Sequence, residues 1–384
     1  MDVVFLTHNW PRWPGDIAGA FLVPLARALA DRGHRISVIT PAHAGQGGTS
    51  REDDVTVHRI RYSWAGNETW VGSGRMQAAL RTPGGFVALA GLWARLRAAA
   101  RDHARDAGTV LHAHWWIPAG LSVPPRRPFV LTLHGTDGRL LAHSASARRL
   151  GCRVVRRAAA VTTVSRALAR TVETSCGRSI PATHIIPMPV TGATPSLPPA
   201  ADRRHGGVIV SRLTRQKRLD LLIDALALLR REGRSLELRI VGTGPEEAAL
   251  RLRAEEAGLG RSVQFLGMLP PDAARREYCS AQWSVALGHD EGFGLSAAEA
   301  LMAGVPVVAC RDGGGLLDIV PGEGAGRVVT PEAGAVARGI TELLDDPRAP
   351  RAAESLGAVW RDTLVPAAIA ERFEEVYRST LPRG

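Results

Sequence analysis

Short apolar runs alternate with longer stretches whose apolar positions recur at helical spacing, from one end of the chain to the other. In the first half Val3–Leu6, Ile36–Thr40, Val55–Ile60, Val110–Ala113, Phe129–Leu133, Ala160–Val164 and His184–Ile186 are expected as strands. Helices are expected over Ala18–Asp31 and Phe86–Asp106. The rhythm repeats in the second half with strands at Gly207–Val210, Leu236–Val241, Val263–Leu266, Trp283–Ala286, Val305–Ala309 and Gly326–Val329. Strands that are apolar throughout belong to a sheet covered on both faces, and strand–helix alternation makes that sheet parallel. The predicted fold class is α/β, with two Rossmann-like doubly wound domains at 1–190 and 205–364. A Pro/Thr/Ser/Gly stretch around Thr191–Pro199 supplies a linker over 191–204. Such sheets bind ligands outside the carboxyl ends of their strands, so the loops after strands matter most.

The length of 384 residues exceeds what one core serves and fits two domains. Charge divides unevenly: residues 1–200 carry 24 Arg against 11 acids, while 201–384 carry 24 basic and 26 acidic residues. A first half of net +13 points to an anionic surface or acceptor, or to a solubilising surface of arginines. Nucleic acid is not expected, because a basic helix with interleaved aromatics and a zinc module are both missing. A membrane contact would use Gly84–Ala100, where Phe86, Leu89, Leu92, Trp93 and Leu96 stand against Arg81, Arg95, Arg97 and Arg101. Cys152, Cys176, Cys279 and Cys310 form no CxxC pair and are expected as buried or incidental thiols of a reducing compartment. The opening residues form a strand and not a leader, so the cytoplasm is expected, with peripheral contact at the inner membrane face left open.

One of the 48 Lys and Arg residues is a lysine, Lys217, in Val210-Ser211-Arg212-Leu213-Thr214-Arg215-Gln216-Lys217. In a chain that uses arginine elsewhere, a lone lysine marks a place suited to a compact point charge. With Arg212 it forms a cationic pair just past a strand, the chemistry of a diphosphate clamp. Glu291-Gly292-Phe293-Gly294-Leu295-Ser296-Ala297-Ala298-Glu299 places one glutamate in a loop and another inside a helix. Glycines there let the backbone approach a ligand, and carboxylates accept paired hydrogen bonds from vicinal hydroxyls. His134 and His114 each end an apolar strand. No Asp-x-Asp occurs, and the His112-x-His114 pair lacks neighbouring ligands, so no metal is expected and cations take that role. Neither the Pro11–Ala20 loop nor Val241-Gly242-Thr243-Gly244-Pro245 carries a dinucleotide fingerprint.

Arg212 with Lys217, and Glu291 with Glu299, are joined by Val241–Glu246, Phe265–Gly267, Ala303–Val308 and Gly313–Gly315; Gly33-His34, His134-Gly135 and Val164-Ser165 precede them. Together, in this order, they resemble the retaining glycosyltransferases of family 4, which have the GT-B fold of two domains facing a central cleft. The resemblance implies that Arg212 and Lys217 hold the donor diphosphate and that Glu299 holds ribose hydroxyls. Glu291 and the Gly292, Phe293, Gly294 and Leu295 backbone would hold the donor sugar, with Gly242 and Met268 also lining the donor site. His134 would bind a sugar hydroxyl near the anomeric carbon. Arg212, Lys217, Glu291 and His134 are thus the implied catalytic residues; Asp16, Gly19 and His114 would meet the acceptor. A terminal helix over Ala367–Leu381, within 365–384, would return to the first domain. Two departures stand out: Pro187-Met188-Pro189-Val190-Thr191 replaces the familiar Pro-Asn-Gly-Val-Asp, and Arg218 stands where a glycine follows the lysine.

The expected activity is metal-independent, retaining transfer from a nucleotide-diphospho-sugar, UDP-linked by preference, to a hydroxyl acceptor that is a small molecule, a lipid-linked sugar or a glycan. Two rivals remain at this level. A nucleotide-sugar 2-epimerase of the same fold would need no acceptor, and a non-catalytic glycan- or nucleic-acid-binding protein would need neither glutamate nor the lone lysine.

Overall fold

The computed structural model describes residues 1–71, 76–79, 81–106, 108–191 and 205–380. Of the expected linker only Thr191 is among them, and the expected helix end at Leu381 also lies outside. The chain forms two compact units, Met1–Pro189 with Leu364–Gly384, and Val190–Thr363.

The first unit runs β1 (Asp2–Leu6), α1 (Val23–Asp31), β2 (Arg35–Pro41), β3 (Gly48–Glu52), β4 (Val55–Ile60), α2 (Met76–Ala79), α3 (Pro83–His103), β5 (Thr109–His114), β6 (Val130–Leu133), α4 (Thr136–His143), α5 (Ala145–Arg157), β7 (Ala160–Thr163) and α6 (Arg166–Cys176). Its seven strands lie in the order β3-β4-β2-β1-β5-β6-β7. All pairings are parallel except β3 with β4. The sequence pattern misses β3, whose Gly-Thr-Ser-Arg-Glu residues face solvent along an edge and carry no apolar alternation. His184–Ile186, expected as a strand, contributes a single bridge from Ile185 to Thr163. The helix expected from Ala18 starts at Val23, because the backbone first turns through Gly19 at φ 72°. A Cβ at Gly19 would lie 2.2 Å from the carbonyl oxygen of Asn9.

The cysteine expectation needs correction. Cys152 on α5 and Cys176 at the end of α6 form a disulfide, with Cα atoms 5.0 Å apart. Twenty-four residues separate them in sequence, so only the packing of the two helices brings their Cβ atoms into bonding range. Cys279 and Cys310 are buried free thiols.

The second unit runs β8 (His205–Val210), α7 (Leu219–Arg231), β9 (Leu238–Val241), α8 (Glu247–Glu256), β10 (Val263–Gly267), α9 (Pro271–Ser280), β11 (Ala281–Ala286), α10 (Leu295–Met302), β12 (Val307–Cys310), β13 (Gly326–Val329), α11 (Ala333–Asp345) and α12 (Ala349–Thr363). Its strands are all parallel in the order β10-β9-β8-β11-β12-β13. Gly207 in β8 makes room for the buried Trp283 of β11, whose ring carbons would lie 2.4 Å from an added Cβ.

The last helix, α13 (Pro366–Thr380), belongs to the first unit and packs on α1. Ile369, Ala370, Phe373 and Tyr377 are its fully buried stripe. Beside them the buried carboxylate of Glu374 receives Arg32 Nε at 2.6 Å, Arg32 Nη2 at 3.0 Å and Arg378 Nη2 at 2.8 Å, and pairs with His34 Nε2 at 2.8 Å. The Arg32 hydrogen bonds hold that carboxyl down at about 2, so the clamp stays charged across the neutral range.

Arg218 caps α7 in the left-handed conformation, φ 53° and ψ 42°. A glycine would adopt this without strain; an arginine loses roughly 1 kcal/mol. The guanidinium offsets part of that cost through a two-pronged pair with Asp312, at 2.9 and 2.6 Å, which tethers the loop after β8 to the loop after β12. Arg218→Ala keeps the strain and loses the pair, whereas Arg218→Gly loses the pair and relieves the strain. The glycine variant should therefore be the more stable of the two by about 1 kcal/mol in denaturant melts. The reverse order would show that this backbone geometry is not held in solution.

Candidate functional site

In a doubly wound sheet the strand order reverses at one point, and the loops on either side part to leave a crevice. In the second unit that point lies between β8 and β11. The loop after β8 carries Arg212 and Lys217, and the loop after β11 carries Glu291. Gln216 and His289 join the two loops, the Gln216 amide donating to the His289 carbonyl at 3.0 Å and the His289 N–H to the Gln216 carbonyl at 3.3 Å. Lys217 Nζ then stands 2.7 Å from Glu291 Oε1 as an ion pair. That buried oxygen makes no aligned hydrogen bond. Arg212 is exposed and has no ion-pair partner among the described residues. One cation is thus held by a carboxylate and the other is open to solvent at the same strand end.

Glu291 is fixed by its backbone. Its N–H donates to Gly313 O at 3.1 Å, and its carbonyl accepts from the Gly315 N–H at 2.8 Å. The Gly313-Gly314-Gly315 run is needed for this approach: a Cβ on Gly315 would meet the Gly292 carbonyl oxygen at 2.1 Å. Gly294, at φ 103°, then turns the chain into α10 with no side-chain cap on the helix start. The first N–H groups of α10 are thus left without a side-chain acceptor, and Leu295 opens the helix. Phe293 is almost fully buried.

Glu299 lies one turn into α10 and lines a small cavity with Val190, Thr191, Arg275, Cys279, Met302 and Ala303. It has no hydrogen-bond partner among the described residues. Burial pushes its carboxyl up to about 7, against a weak opposing pull from Arg275. Glu299 is half-buried, and a desolvated carboxylate that lines a cavity with no protein donor among the described residues is free to take ligand hydroxyls.

In the first unit the order reverses between β1 and β5. His134 follows β6, next to β5, and is half-buried. Its backbone N–H donates to Asp137 Oδ1 at 3.0 Å, as do the N–H groups of Gly135 and Gly138. Asp137, which the sequence reading passed over, therefore fixes the turn that aims His134. Burial raises its carboxyl to about 6, against those three hydrogen bonds. The imidazole of His134 lies among Trp115 at 4.4 Å, Phe21 at 5.2 Å and His114 at 5.3 Å between ring centres. His114 Nδ1 and His134 Nε2 share a hydrogen bond of 3.1 Å. Burial, together with the facing histidines, holds His112, His114 and His134 well below the usual imidazole range, and burial alone takes His8 to about 4. The cluster is neutral.

Several expected contacts are placed differently. His114 is fully buried behind His134, so it supports that ring and does not meet an acceptor at the surface. Asp16 has both oxygens committed: it takes Arg12 Nε at 2.6 Å, Arg12 Nη2 at 3.0 Å and the N–H groups of Arg12 and Ala18. At Gly19 the close approach of the Asn9 carbonyl leaves no room for a side chain. Gly242 is required by the protein itself, since a Cβ would lie 2.0 Å from the Ser211 carbonyl oxygen. Met268 follows the edge strand β10 with its side chain half exposed, and among the described residues no hydrogen bond or ion pair joins it to Lys217 or Glu291. The buried partners of His134 were invisible in sequence because a strand's inward residues carry no sign of what the next strand brings opposite them.

The model of the "Glycosyltransferase Family 4" domain matches residues 18–191, and that of "Glycosyl transferases group 1" matches 206–358. The 2-deoxystreptamine glucosyltransferase of Streptomyces kanamyceticus is 26% identical over 88% of this chain and 92% of its own. A GDP-mannose-dependent alpha-(1-6)-phosphatidylinositol monomannoside mannosyltransferase of Mycolicibacterium smegmatis is 33% identical over 40% of this chain and 42% of its own. Among solved structures, sucrose-phosphate synthase from Thermosynechococcus elongatus superposes with a TM-score of 0.78 at 21% identity, covering 98% of both chains. Anabaena HepE in complex with UDP-glucose superposes at 0.69 and 21% identity, covering 99% of this chain and 100% of its own. Paired parallel sheets, a cation–carboxylate couple at one switch point and a histidine beside the other thus coincide with two domain matches that follow one another along the chain: this protein is a glycosyltransferase of the family 4 type, with the GT-B fold.

Proposed function

We propose that the protein moves a sugar, with retention of configuration, from a UDP-sugar to a hydroxyl of a small acceptor. The Lys217–Glu291 pair at the β8/β11 switch point carries this reading. With a donor in place, the diphosphate displaces the carboxylate from Lys217 and draws Arg212 inward, and Glu291 is released to accept hydrogen bonds from the sugar. Glu299 receives the ribose hydroxyls, and His134 a hydroxyl of the substrate. As the bond from the anomeric carbon to phosphate breaks, the acceptor oxygen attacks on the same face and its proton passes to the departing phosphate oxygen. Arg212 and Lys217 stabilise the charge growing there without a metal ion. The solved UDP complexes of a protein of like fold support UDP, and the full-length relative named for 2-deoxystreptamine supports a compact cyclic acceptor.

A screen of UDP-, GDP-, ADP- and dTDP-sugars by thermal shift tests the donor, since a ligand at a hundred times its Kd stabilises by about 2.7 kcal/mol. UDP-sugars should give the largest shift, and release of UDP should require an acceptor. Acceptor-independent release of nucleotide would favour the epimerase.

A second reading of the acceptor rests on α3, which leaves Phe86, Val87 and Trp93 exposed among the exposed Arg95 and Arg101. An amphipathic surface of this kind suits an anionic bilayer. Co-sedimentation with vesicles containing anionic lipid, but not with neutral ones, would place the acceptor at a membrane. No sedimentation with either, and turnover indifferent to salt, would leave the soluble acceptor.

Lys217→Ala should fold normally and lose roughly a hundredfold in turnover, the scale of one lost transition-state charge partner. Lys217→Arg should also be impaired, because the planar fork does not reproduce a point charge facing Glu291. Full activity of the Arg variant, or a large loss on adding a chelator to the native protein, would overturn the assignment.

Glu299 makes nucleotide affinity depend on pH. The bound form needs the carboxylate, while the empty protein titrates near 7, so binding releases a proton below that value. Affinity for UDP should therefore rise with pH and level off above 7. It should fall by up to about tenfold for each unit below. Isothermal titration between pH 5.5 and 8 should show this slope in the native protein and its absence in Glu299→Gln. Parallel profiles would reduce Glu299 to a structural role.

A further inference from the structure

His134 is not an isolated side chain. Behind it lies a buried row of polar groups that enters from α13 and runs across β5 and β6 to the edge strand β7. Tyr377 on α13 meets His112 Nδ1 at 2.8 Å, and His112 Nε2 meets Thr132 Oγ1 at 2.6 Å. Thr132 in turn meets Thr162 Oγ1 at 2.6 Å. Both nitrogens of His112 are therefore committed. His114 lies against His112 with ring centres 4.1 Å apart and planes tilted by 35°, and packs edge-on against Phe5 at 4.7 Å. It reaches forward through Nδ1 to His134 Nε2 at 3.1 Å, while its own Nε2 is buried with no partner.

A neutral imidazole has one N–H and one lone pair, so the hydrogen bond between the two rings has two arrangements. In the first, His134 donates from Nε2 and His114 carries its hydrogen on Nε2, where it is sealed among rings that offer no acceptor oxygen or nitrogen. In the second, His114 donates from Nδ1, and a lone pair is what remains sealed. A buried N–H left without an acceptor is the rarer defect in proteins, and contact with a ring face is only a second-order substitute. The second arrangement follows. It puts the hydrogen of His134 on Nδ1, a nitrogen with no protein partner among the described residues.

We propose that His114 is a positioning residue that fixes His134 in the Nδ1–H tautomer, so that His134 meets its substrate as a hydrogen-bond donor and not as a proton acceptor. This rests on the reading of His134 as a substrate-facing group and sharpens its role. A donor at Nδ1 holds an oxygen of the substrate in place. It leaves the acceptor's proton to the departing phosphate, as the proposed displacement requires. His8, His112 and His114, the titratable groups facing the ring from β5 and the loop after β1, are neutral like it. The nearby carboxylate of Asp137 directs Oδ1 at the backbone N–H groups of His134, Gly135 and Gly138, and no hydrogen bond joins it to the imidazole among the described residues.

Nitrogen-15 spectra of the native protein labelled at histidine test the tautomer directly, with the His134 signals identified by their loss in His134→Phe. Nδ1 should show a protonated-type shift and Nε2 an unprotonated one, unchanged from pH 8 to pH 6. The opposite assignment, or an average of the two forms, would overturn the inference whatever the activity. In His114→Phe, His134 should become a mixture of tautomers. Its kcat should fall roughly tenfold, the worth of one misdirected hydrogen bond, with the donor KM nearly unchanged. His114→Asn, whose amide N–H₂ takes the place of Nδ1–H, should restore both the single tautomer and most of the rate. Equal loss in the Phe and Asn variants, with the tautomer unaltered, would make His114 merely structural. If instead the tautomer is as stated but His134→Phe turns over normally, the fault lies in the functional reading of His134 and not in its pairing with His114.

Discussion

Parallel strand direction governs this molecule. In the second unit every strand runs the same way, and in the first only the edge strand β3 departs, so each loop that follows a core strand emerges on one edge of its sheet. Residues far apart in sequence meet there without any further device. Lys217 and Glu291, 74 residues apart, become partners because β8 and β11 are neighbours. His114 and His134 become partners because β5 and β6 are. A parallel sheet must be covered on both faces, which accounts for the helices, and its strand ends are left for chemistry.

Glycine does the remaining work at those edges. The loops after β8, β9, β11 and β12 pass within backbone contact of one another. Gly242, Gly244, Gly314 and Gly315 stand where any side chain would strike a neighbouring carbonyl or backbone nitrogen. Close approach fixes the backbone of these loops while leaving polar side chains underused: among the described residues Glu299 has no donor, Arg212 no acid and Glu291 a single cation. Charge and hydrogen-bonding capacity held in place but unspent is what preorganisation for a polar ligand requires.

α13 extends the same logic to the first unit. Glu374 pins the helix to α1 through Arg32, and to the chain that follows α1 through His34. Tyr377 then delivers a hydroxyl to His112 in the sheet. A helix added at the end of the chain thus completes a polar row that ends at the site histidine. Burying His112 and His114 beside the half-buried His134 and His8 is costly unless the rings stay neutral and hydrogen-bonded, and the pairings of His112, His114 and His134 meet most of that requirement.

The fold class was legible in sequence because it depends on a local signal. Runs such as Val3–Leu6 and Val305–Ala309 are too apolar for a half-exposed strand, and their alternation with amphipathic segments leaves a doubly wound sheet as the simplest arrangement. Lys217, Glu291 and His134 stood out in sequence because each follows a strand and is chemically out of keeping with its neighbours, and Glu299 because it lies inside an otherwise apolar helix. The edge strand β3 was not, having no buried face to mark it. The disulfide was missed because Cys152 and Cys176 are adjacent only across a helix packing. Why Gly19 and Gly242 must be glycines was not legible either, because the carbonyls of Asn9 and Ser211 that leave no room for a side chain come from other loops. His114 was expected to meet the acceptor, yet it is buried and paired with His134. Type and spacing of residues determine which elements form and which groups lie at their ends; what those groups touch is set by which strand lies beside which, and that information exists only once the sheet has closed its long-range pairings.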